Sequence, residues 1–249
     1  MIAAARQRHA VVVLKMGGSV LNGIESYREA ARFVARRIVN EPHTRFVVVV
    51  SAESGQTDAL LDLARSFGPA PDPAQLDLLW ATGELRSVAL LAMAVRAAGI
   101  RVAAANVHQT GLERASSCRT SLQPLTLWTL IDAHDAVIVP GFLARGAAEA
   151  IVSLGRGGSD LSAVLIAAGL GAERCELIKD VDGYYSTDPK VSPSASHLSH
   201  IDFERSLAMA DAGCGLVQRD AIEAARAHAL PVVVRSMHAD RATVLSHRS

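Results

Sequence analysis

A lysine followed by two glycines and a serine is the first group of residues that could carry chemistry. Lys15 comes directly after the apolar run 11–14, three of whose residues are β-branched, which predicts a buried strand. Gly17 and Gly18 permit a tight turn whose N–H groups can bind phosphate, and Ser19 adds a hydroxyl. The lysine precedes the glycines, so the motif is not a Walker loop. Phosphate binding and simple turn formation both fit this segment.

A second glycine-rich segment places an arginine at the start of a predicted helix. It reads Gly155-Arg156-Gly157-Gly158-Ser159-Asp160. A guanidinium group binds a carboxylate through two parallel hydrogen bonds, and the N–H groups and dipole of a helix N-terminus strengthen anion binding. Ser159 or Asp160 could instead cap the helix, but capping does not explain an arginine among glycines. The segment therefore predicts an anion site.

Two loops and a glutamate complete the candidate set. Residues 51–58 lie between a predicted strand and a helix, where ligand-facing loops of open α/β sheets occur, although Thr57 or Asp58 could also cap that helix. Glu84 follows a glycine in an apolar segment, so an inward role and a solvated helix surface are both open. Residues 179–190 follow another predicted strand and contain two lysines and two tyrosines, which fits a nucleotide-lining loop or a surface loop.

These segments need a framework that brings the ends of strands together. Short apolar runs predict buried strands at residues 11–14, 46–50, 101–105, 136–139, 175–178 and 231–235. Helical spacing of apolar residues predicts helices at 25–39, 59–67, 76–98 (interrupted near 82–84), 125–134, 159–170, 201–212 and 220–228. A hairpin or short crossing is expected at 143–150, and a polar, irregular segment at 106–124. This alternation predicts an α/β protein with a mostly parallel sheet, in one domain, 1–249, with lobes 1–145 and 150–249.

Composition narrows the class of protein. Positive and negative side chains balance at 25 each, which argues against a general affinity for nucleic acid or anionic membranes. The three cysteines show neither disulfide nor zinc spacing, and the nine histidines form no ligand pair at helical spacing, so we expect no metal site. No stretch reads as a signal peptide or as long and apolar enough to span a bilayer. We expect a reducing, cytoplasmic environment.

Together, five motifs in order resemble the amino acid kinase superfamily and, within it, the catalytic domain of aspartate kinases. The likeness runs from Val11 to about Met237. The motifs are residues 15–19, 48–61, 83–84, 155–160 and 179–190, the last similar to the family's T-D-V-x-G-V/I-Y-x-x-D-P-R. The resemblance implies a three-layer αβα sandwich with a mostly parallel central sheet, in which the amino-terminal lobe holds the substrate and the carboxyl-terminal lobe holds ATP.

The resemblance also implies a reaction and a set of site residues. The γ-phosphoryl group of ATP, with Mg²⁺, would pass to the carboxylate of aspartate or a related amino acid, giving an acyl phosphate. In catalysis Lys15 would neutralise the phosphoryl group and Asp160 would orient that lysine. The implied substrate-binding residues are Ser51, Thr57, Glu84, Arg156, Gly157, Gly158 and Ser159. The implied nucleotide-binding residues are Lys15, Gly17, Gly18, Ser19, Lys179, Asp180, Tyr185, Lys190, Gly215 and Leu216.

Departures from the family pattern bear on activity. The first motif has one hydroxyl fewer than the usual K-F-G-G-T-S. Gly215 stands where the family's G-A-K-V-L-H-P has a lysine that touches the ATP phosphates, and either Lys179 or Arg219 could take over that contact. The family's paired regulatory domains do not follow the kinase motifs, so we expect no feedback inhibition through them.

Two functions therefore stay open. The first is an active small-molecule kinase acting on aspartate or a related acid. The second is a nucleotide-binding pseudokinase or regulatory member, and a kinase for a different acid or phosphate acceptor is a further variant. Lys15, Glu84, Arg156 and Asp160 are all present, which favours the enzyme. Homodimers are common in the family, so a second copy of the chain is the expected partner.

Overall fold

A computed structural model describes residues 9–115, 120–155, 157–189, 191–192 and 194–247. The strands, in chain order, are β1 (Ala10–Met16), β2 (Thr44–Val50), β3 (Val102–Ala104), β4 (Leu112–Arg114), β5 (Thr120–Leu122), β6 (Ala136–Pro140), β7 (Leu143–Arg145), β8 (Ile151–Ser153), β9 (Arg174–Lys179), β10 (Tyr184–Tyr185), β11 (His197–Leu198), β12 (His200–Asp202), β13 (Val232–Ser236) and β14 (Ala242–Ser246). The α-helices are α1 (Ile24–Asn40), α2 (Gln56–Arg65), α3 (Pro73–Ala97), α4 (Val107–Thr110), α5 (Leu125–Ala133), α6 (Gly158–Leu170), α7 (Phe203–Asp211) and α8 (Arg219–Ala227).

The central sheet has eight strands in the order β12-β14-β13-β9-β1-β2-β6-β3. Every neighbouring pair is parallel except β13 and β14. Parallel strands buried on both faces need nearly continuous apolar sequence, which β1, β2 and β6 have. The mostly parallel sheet is as predicted, whereas β12 and β14 were not expected from the sequence.

Helices cover both faces of this sheet. Alternate residues of β1 point to opposite sides, so that Val11 and Val13 pack with α6 and α8, whereas Val12 and Leu14 pack with α1 and α3. The two apolar clusters are separated by the sheet and together form the core of the protein. This three-layer αβα arrangement confirms the predicted fold class.

A second, smaller sheet joins the segments on either side of β6. Its order is β5-β4-β7-β8, and β7 and β8 form the antiparallel hairpin expected at residues 143–150. The expectation of irregular structure at 106–124 was partly wrong, because the described part of this segment holds α4, β4 and β5. Asn106 and Gln109 form a capping box that starts the one-turn helix, a local hydrogen-bond pattern that polar composition alone concealed.

The longest helix, α3, is continuous through Gly83, so the predicted interruption was wrong. Its N-terminus is capped by Asp72, which accepts hydrogen bonds from the N–H groups of Ala74 and Gln75. A side chain at Gly83 would press on the Ala52 side chain at 3.1 Å, so glycine here allows close packing rather than a break.

By length and composition α3 could cross a membrane, although no such stretch was expected. In the structure it packs against α1, α2, β6 and β8.

Candidate active site

Four parallel strands of the central sheet, β9, β1, β2 and β6, end at the same edge. Met16 lies opposite Val50 on one side and Ile178 on the other, and Val50 lies opposite Pro140. The loops that follow these strands therefore meet, and ligands of open α/β sheets bind at this carboxyl edge. The predicted site segments at 15–19, 51–58 and 179–190 all begin here.

The loop after β1 fits tightly against the loop after β2. A Cβ at Gly18 would lie 2.5 Å from the Ala52 carbonyl oxygen and 2.9 Å from the Ser54 nitrogen, distances that no side chain tolerates. A Cβ at Gly17 would lie 3.0 Å from the Lys15 ammonium nitrogen. The two glycines thus let the backbone pass between Lys15 and the β2 loop.

Lys15, Asp160 and Lys179, which we call the lysine cluster, form a buried group of charges. Lys15 Nζ lies 2.9 Å from Oδ1 of Asp160, and Lys179 Nζ donates a hydrogen bond of 2.9 Å to Oδ2. The Asp160 side chain is 4% exposed. Burial alone would raise the pKa of Asp160, but the charges of Lys15 and Lys179 outweigh it and hold that pKa below its ordinary value. Asp160 is therefore an ionised carboxylate that fixes two ammonium groups.

Asp160 is presented by the first turn of α6. The helix starts after Gly157, which has φ +80 and whose added Cβ would lie 2.5 Å from the Gln218 side chain. Within the described residues no side chain caps this end, so the suggestion that Ser159 or Asp160 caps α6 was wrong. Asp160 is instead turned toward the lysines. The N–H groups of Gly158 and Asp160 at this end donate to the Gly155 and Gly157 carbonyls.

A cleft of about 590 Å³, the first cleft, opens beside the lysine cluster. It is lined by Gly18, Ser19, Ser51, Ala52, Glu53, Ser54, Gly55, Thr57, Asp58, Leu61, Trp80, Glu84, Phe142, Gly155, Gly157, Gly158 and Ser159. The described residues predicted to bind the substrate are all in this set. Gly18 and Ser19, predicted to bind the nucleotide, also line this cleft. Thr57 and Asp58 do not cap α2, because Gly55 occupies the cap position with a left-handed backbone.

Glu84 is the buried acid of the first cleft. Glu84 lies on α3 and is 3% exposed. The structure thus confirms that it points inward and not to a solvated helix surface. Oε1 accepts a hydrogen bond of 3.0 Å from the Ala52 N–H, whereas Oε2 has no hydrogen-bond partner among the described residues. Burial raises the pKa of Glu84 to about 8, against the opposing effects of the Ala52 N–H and the Lys15 charge. An ammonium group brought into the cleft would pair with the free oxygen.

The sequence analysis missed an aromatic wall of the first cleft. Trp80 packs edge-on against Phe142, with ring centroids 5.6 Å apart, and its indole N–H donates to the Thr57 carbonyl. Trp80 lies one helical turn before Glu84, a spacing that puts both on one face of α3 and could have signalled its inward position. Phe142 follows β6, so only the folded sheet brings the two rings together.

A second cleft has a volume of about 770 Å³. It is lined by Asp180, Val181, Gly183, Tyr184, Tyr185, Ser186, Thr187, Asp188, Pro189, Met209, Ala212, Gly213, Cys214, Gly215 and Leu216. Asp180, Tyr185, Gly215 and Leu216, all predicted to bind the nucleotide, meet here. Lys179 directly precedes Asp180 of this cleft, and Asp160 directly follows Ser159 of the first cleft, so the lysine cluster adjoins lining residues of both clefts.

Two predicted residues, Arg156 and Lys190, lie outside the described residues. Within the described ranges, no group of three or more histidine, cysteine, aspartate or glutamate residues could hold a metal ion by itself.

Comparisons with known proteins agree with this geometry. A family model described as "Amino acid kinase family" matches residues 10–236. The aspartokinase of Mycolicibacterium smegmatis is 38% identical over 241 residues, a match that covers 93% of this chain and 56% of that protein. The chain therefore spans about half the length of the curated relatives it matches.

Solved structures extend the likeness to the fold. The aspartate kinase from Synechocystis superposes with a TM-score of 0.87 at 33% identity, covering 96% of this chain and 40% of that one. E. coli aspartokinase III in complex with aspartate and ADP gives a TM-score of 0.81 at 23% identity, covering 96% and 65%. The second likeness is one of fold.

Proposed function

Because the chain belongs to the amino acid kinase family, we propose that it transfers the γ-phosphoryl group of ATP to a carboxylate of aspartate, giving an acyl phosphate and ADP. The aspartokinases among its relatives support aspartate as the acceptor. In this proposal the first cleft holds the amino acid and the second cleft holds ATP. Residues 1–145 and 150–249 then form the substrate-side and nucleotide-side lobes of one domain.

The observation that carries the proposal is the position of the lysine cluster between two clefts. Both reactants are anionic, so bringing them together requires positive charge where they meet. Lys15 is buried at that junction and held by Asp160 at 2.9 Å, so it needs little reorganisation when a phosphoryl group arrives. A pseudokinase has no need of this arrangement beside an acceptor cleft.

Phosphoryl transfer from ATP to a carboxylate requires little covalent participation by the protein. A carboxylate oxygen of the acceptor attacks the γ-phosphorus, the bond from that phosphorus to the β–γ bridging oxygen breaks, and its electron pair leaves with ADP. The acceptor carboxylate is already ionised at neutral pH, so no general base is required. Lys15 neutralises the transferred group.

Acceptor recognition falls to the walls of the first cleft. The free oxygen of Glu84 is suited to the ammonium group of an amino acid, and Ser51 and Thr57 offer hydroxyls on the same cleft. Arg156 enters this proposal from its place in the sequence motif, as a partner for the carboxylate that does not react.

Magnesium fits this site as an ion carried by the nucleotide. Mg²⁺ in kinase sites is held largely by phosphate oxygens and water with one or two carboxylates, and the described residues offer no larger cluster. Asp180, exposed in the second cleft, is the carboxylate we propose to complete its shell. The ion would supply further neutralisation of phosphate charge.

We also propose a cytoplasmic homodimer. The free thiols of Cys175 and Cys214 fit a reducing compartment. Several large apolar side chains are exposed, among them Phe67 at 89% and Leu125 at 81%, and a second copy could cover them. Light scattering on the purified protein measures the oligomeric state directly.

The reaction is tested by trapping the product. Purified protein is incubated with MgATP and L-aspartate in the presence of hydroxylamine, which converts an acyl phosphate to a coloured hydroxamate. We expect hydroxamate with aspartate, much less with succinate, which lacks the ammonium group for Glu84, and almost none from the Lys15→Met variant. Calorimetric titration with an ATP analogue is run in parallel.

If the protein binds the nucleotide but forms no hydroxamate with any of a panel of acids, the proposed kinase activity is wrong and the pseudokinase hypothesis is supported. Turnover with another acid in place of aspartate would retain the phosphoryl transfer and correct the acceptor.

A further inference from the structure

The lysine cluster contains two positive charges and one negative charge. Two ammonium groups face one carboxylate, and each makes one contact with it, at 2.9 Å. An ammonium group has three N–H donors, and each lysine makes only this contact within the part of the chain that the structure describes, which leaves two donors on each for other partners. Cations that are largely removed from water and exceed their paired carboxylate favour a further anion, and the adjoining clefts are where one can arrive.

Lysine itself is rare in this chain. Lys15, Lys179 and Lys190 are its only lysines, and every other basic side chain among the 25 is an arginine. Two of the three therefore meet in one cluster. Lysine offers a compact charge with rotatable donors, whereas arginine offers a rigid planar fork, so the choice of lysine at both positions points to a small, moving anionic group such as a phosphoryl.

Lys179 is built into the site rather than resting on the surface. It ends β9, and its side chain is 15% exposed. Burial lowers its pKa below the ordinary value, and the charge of Asp160 opposes that effect. The adjoining Asp180 lines the second cleft, so the ammonium group lies where the terminal phosphate of a nucleotide in that cleft would reach the first.

The other candidate cation is occupied elsewhere. Arg219, at the start of α8, lies 3.4 Å from Asp211 and 3.0 Å from Glu223, and its side chain is 49% exposed. Gly215 lies in the second cleft and supplies no charge at all. A Cβ added there would meet no atom within 4 Å, so the cleft has open space at that point.

We propose that Lys179 is the second phosphate-binding cation of the site and contacts the γ-phosphoryl group during its transfer. The inference rests on the proposed function for the transfer step, but the contact with a γ-phosphate does not depend on which acid is the acceptor. Lys15 and Lys179, held by Asp160, then grip the phosphoryl group from β1 and β9 as it passes from ADP to the acceptor oxygen. Arg219 has no part in this contact.

The first experiment removes the Lys179 charge. Lys179→Met is compared with the matched control Arg219→Met in the hydroxamate assay. We expect kcat of Lys179→Met to fall by about 100-fold with KM for aspartate changed by about twofold or less, because the contact is with the γ-phosphoryl group and not with aspartate. Arg219→Met should keep kcat within about twofold of wild type.

The second experiment moves the charge. In Lys179→Met combined with Gly215→Lys, a lysine from the open side of the second cleft can reach the phosphates. We expect kcat to recover by at least about tenfold over Lys179→Met alone. A purely structural role for Lys179 would not be repaired from a different element of the fold.

The third experiment uses binding and needs no acceptor. The ratio of affinities for a non-hydrolysable ATP analogue and for ADP, measured by calorimetry, reports the γ-phosphate contact. Lys179→Met should lower that ratio by about tenfold or more, and Lys179→Arg, which keeps the charge, should lower it less.

An unchanged ratio in Lys179→Met, or a kcat within about threefold of wild type, would overturn the inference. An equal loss for both nucleotides would overturn it too, since it would place Lys179 at the α- or β-phosphate or the fold. If Lys179→Met does not fold, the ratio of affinities for the ATP analogue and ADP is measured on Lys179→Arg and Lys179→Gln instead. If Lys179→Met lowers the affinity ratio but the wild-type protein phosphorylates no acid, the inferred contact between Lys179 and the γ-phosphate stands and only the proposed reaction is wrong.

Discussion

Two buried groups of charges lie on β9, and they are built differently. One is the lysine cluster at the carboxyl end of the strand. The other, the arginine cluster, surrounds Glu176, whose side chain is 2% exposed. Its members are Arg37, Glu41, Arg174, Glu176 and Arg235. Glu176 and Lys179 are three residues apart, so their side chains leave the sheet on opposite faces.

In the arginine cluster each oxygen of the buried carboxylate is already paired. Arg37 grips Glu176 with two hydrogen bonds of 2.6 and 2.7 Å, and the Arg174 Nε donates at 2.8 Å. Burial alone would raise the pKa of Glu176, but these hydrogen bonds and charges hold it below its ordinary value. None of these five side chains lines either cleft.

Under the proposed function, the arginine cluster uses charge for structure and the lysine cluster uses charge to bind a ligand. Arginine forks fit a carboxylate and leave the group closed, whereas the lysines keep donors for a ligand. Burial and unusual pKa values occur in both clusters, so those properties alone do not identify a site. The property that distinguishes the lysine cluster is its N–H donors beside a cleft, left unused by the described residues.

The largest expected effect on stability comes from breaking the arginine cluster. Glu176→Gln removes the buried charge that Arg37 and Arg174 share and leaves them only the more exposed Glu41 and Glu173, so we expect a loss of about 3 kcal/mol in the free energy of unfolding, measured with urea. Activity per folded molecule should stay the same. Glu173→Gln is the matched control, because Glu173 meets Arg174 at 3.4 Å while 56% exposed, and should lose less than about 1 kcal/mol. A Glu176→Gln variant that is stable but inactive would reverse the assignment of the two clusters.

The second expected effect is a loss of activity with little loss of stability. Lys15→Met leaves Asp160 paired with Lys179 at 2.9 Å, so the fold should lose little stability. We expect kcat to fall by about 10²–10³-fold, or about 3–4 kcal/mol in the transition state, in the hydroxamate assay. A loss of stability as large as that of Glu176→Gln, with full activity in the folded fraction, would show that the lysine cluster is structural.

A third, pH-dependent effect concerns Glu84, the buried acid with a free oxygen. Its pKa of about 8 lies above its ordinary value, so the unliganded protein should lose stability as pH rises from about 4.5 through about 8, by about 1.4 kcal/mol per unit. Glu84→Gln should abolish that slope in urea unfolding. Only the ionised form pairs with an ammonium group, so KM for aspartate should fall about tenfold per unit up to about pH 7 and level off above 8. A flat KM in the wild type would remove Glu84 from acceptor binding.

The smallest effect lies at the edge of the arginine cluster. Arg235 Nη1 is 3.8 Å from Glu176, and its guanidinium lies over the Phe33 ring at 6.0 Å. Arg235→Gln should therefore cost about 1 kcal/mol or less in urea unfolding, with unchanged kcat. A cost equal to that of Glu176→Gln would mean that the cluster acts as one unit.

Much of the fold could be predicted because its strands are buried on both faces. The unbroken apolar runs of β1, β2 and β6 leave few alternatives. β14 alternates between buried and half-buried residues at the far side of β13, and its short pattern gave no such signal. The continuity of α3 through Gly83 depends on contact with the β2 loop, which local propensity does not include.

The sequence predicted which segments form the candidate site but not how their side chains are arranged. Motifs at strand ends identified the loops, because parallel strands bring those ends together. The helix caps were wrong at α2 and α6, where glycine in a left-handed conformation starts the helix and frees the side chains that follow. The pairing of Trp80 with Phe142, and the choice between Lys179 and Arg219, depend on distances between segments remote in the chain.

The two clefts have no lining residue in common among those described, and the lysine cluster lines neither. In the proposed function, acceptor choice thus depends on the walls of the first cleft, whereas Lys15 and Lys179 contact the phosphoryl group. Substitutions in those walls can change the acceptor while the lysine cluster stays intact. A scaffold of this kind can acquire new acceptors by drift in the walls of one cleft.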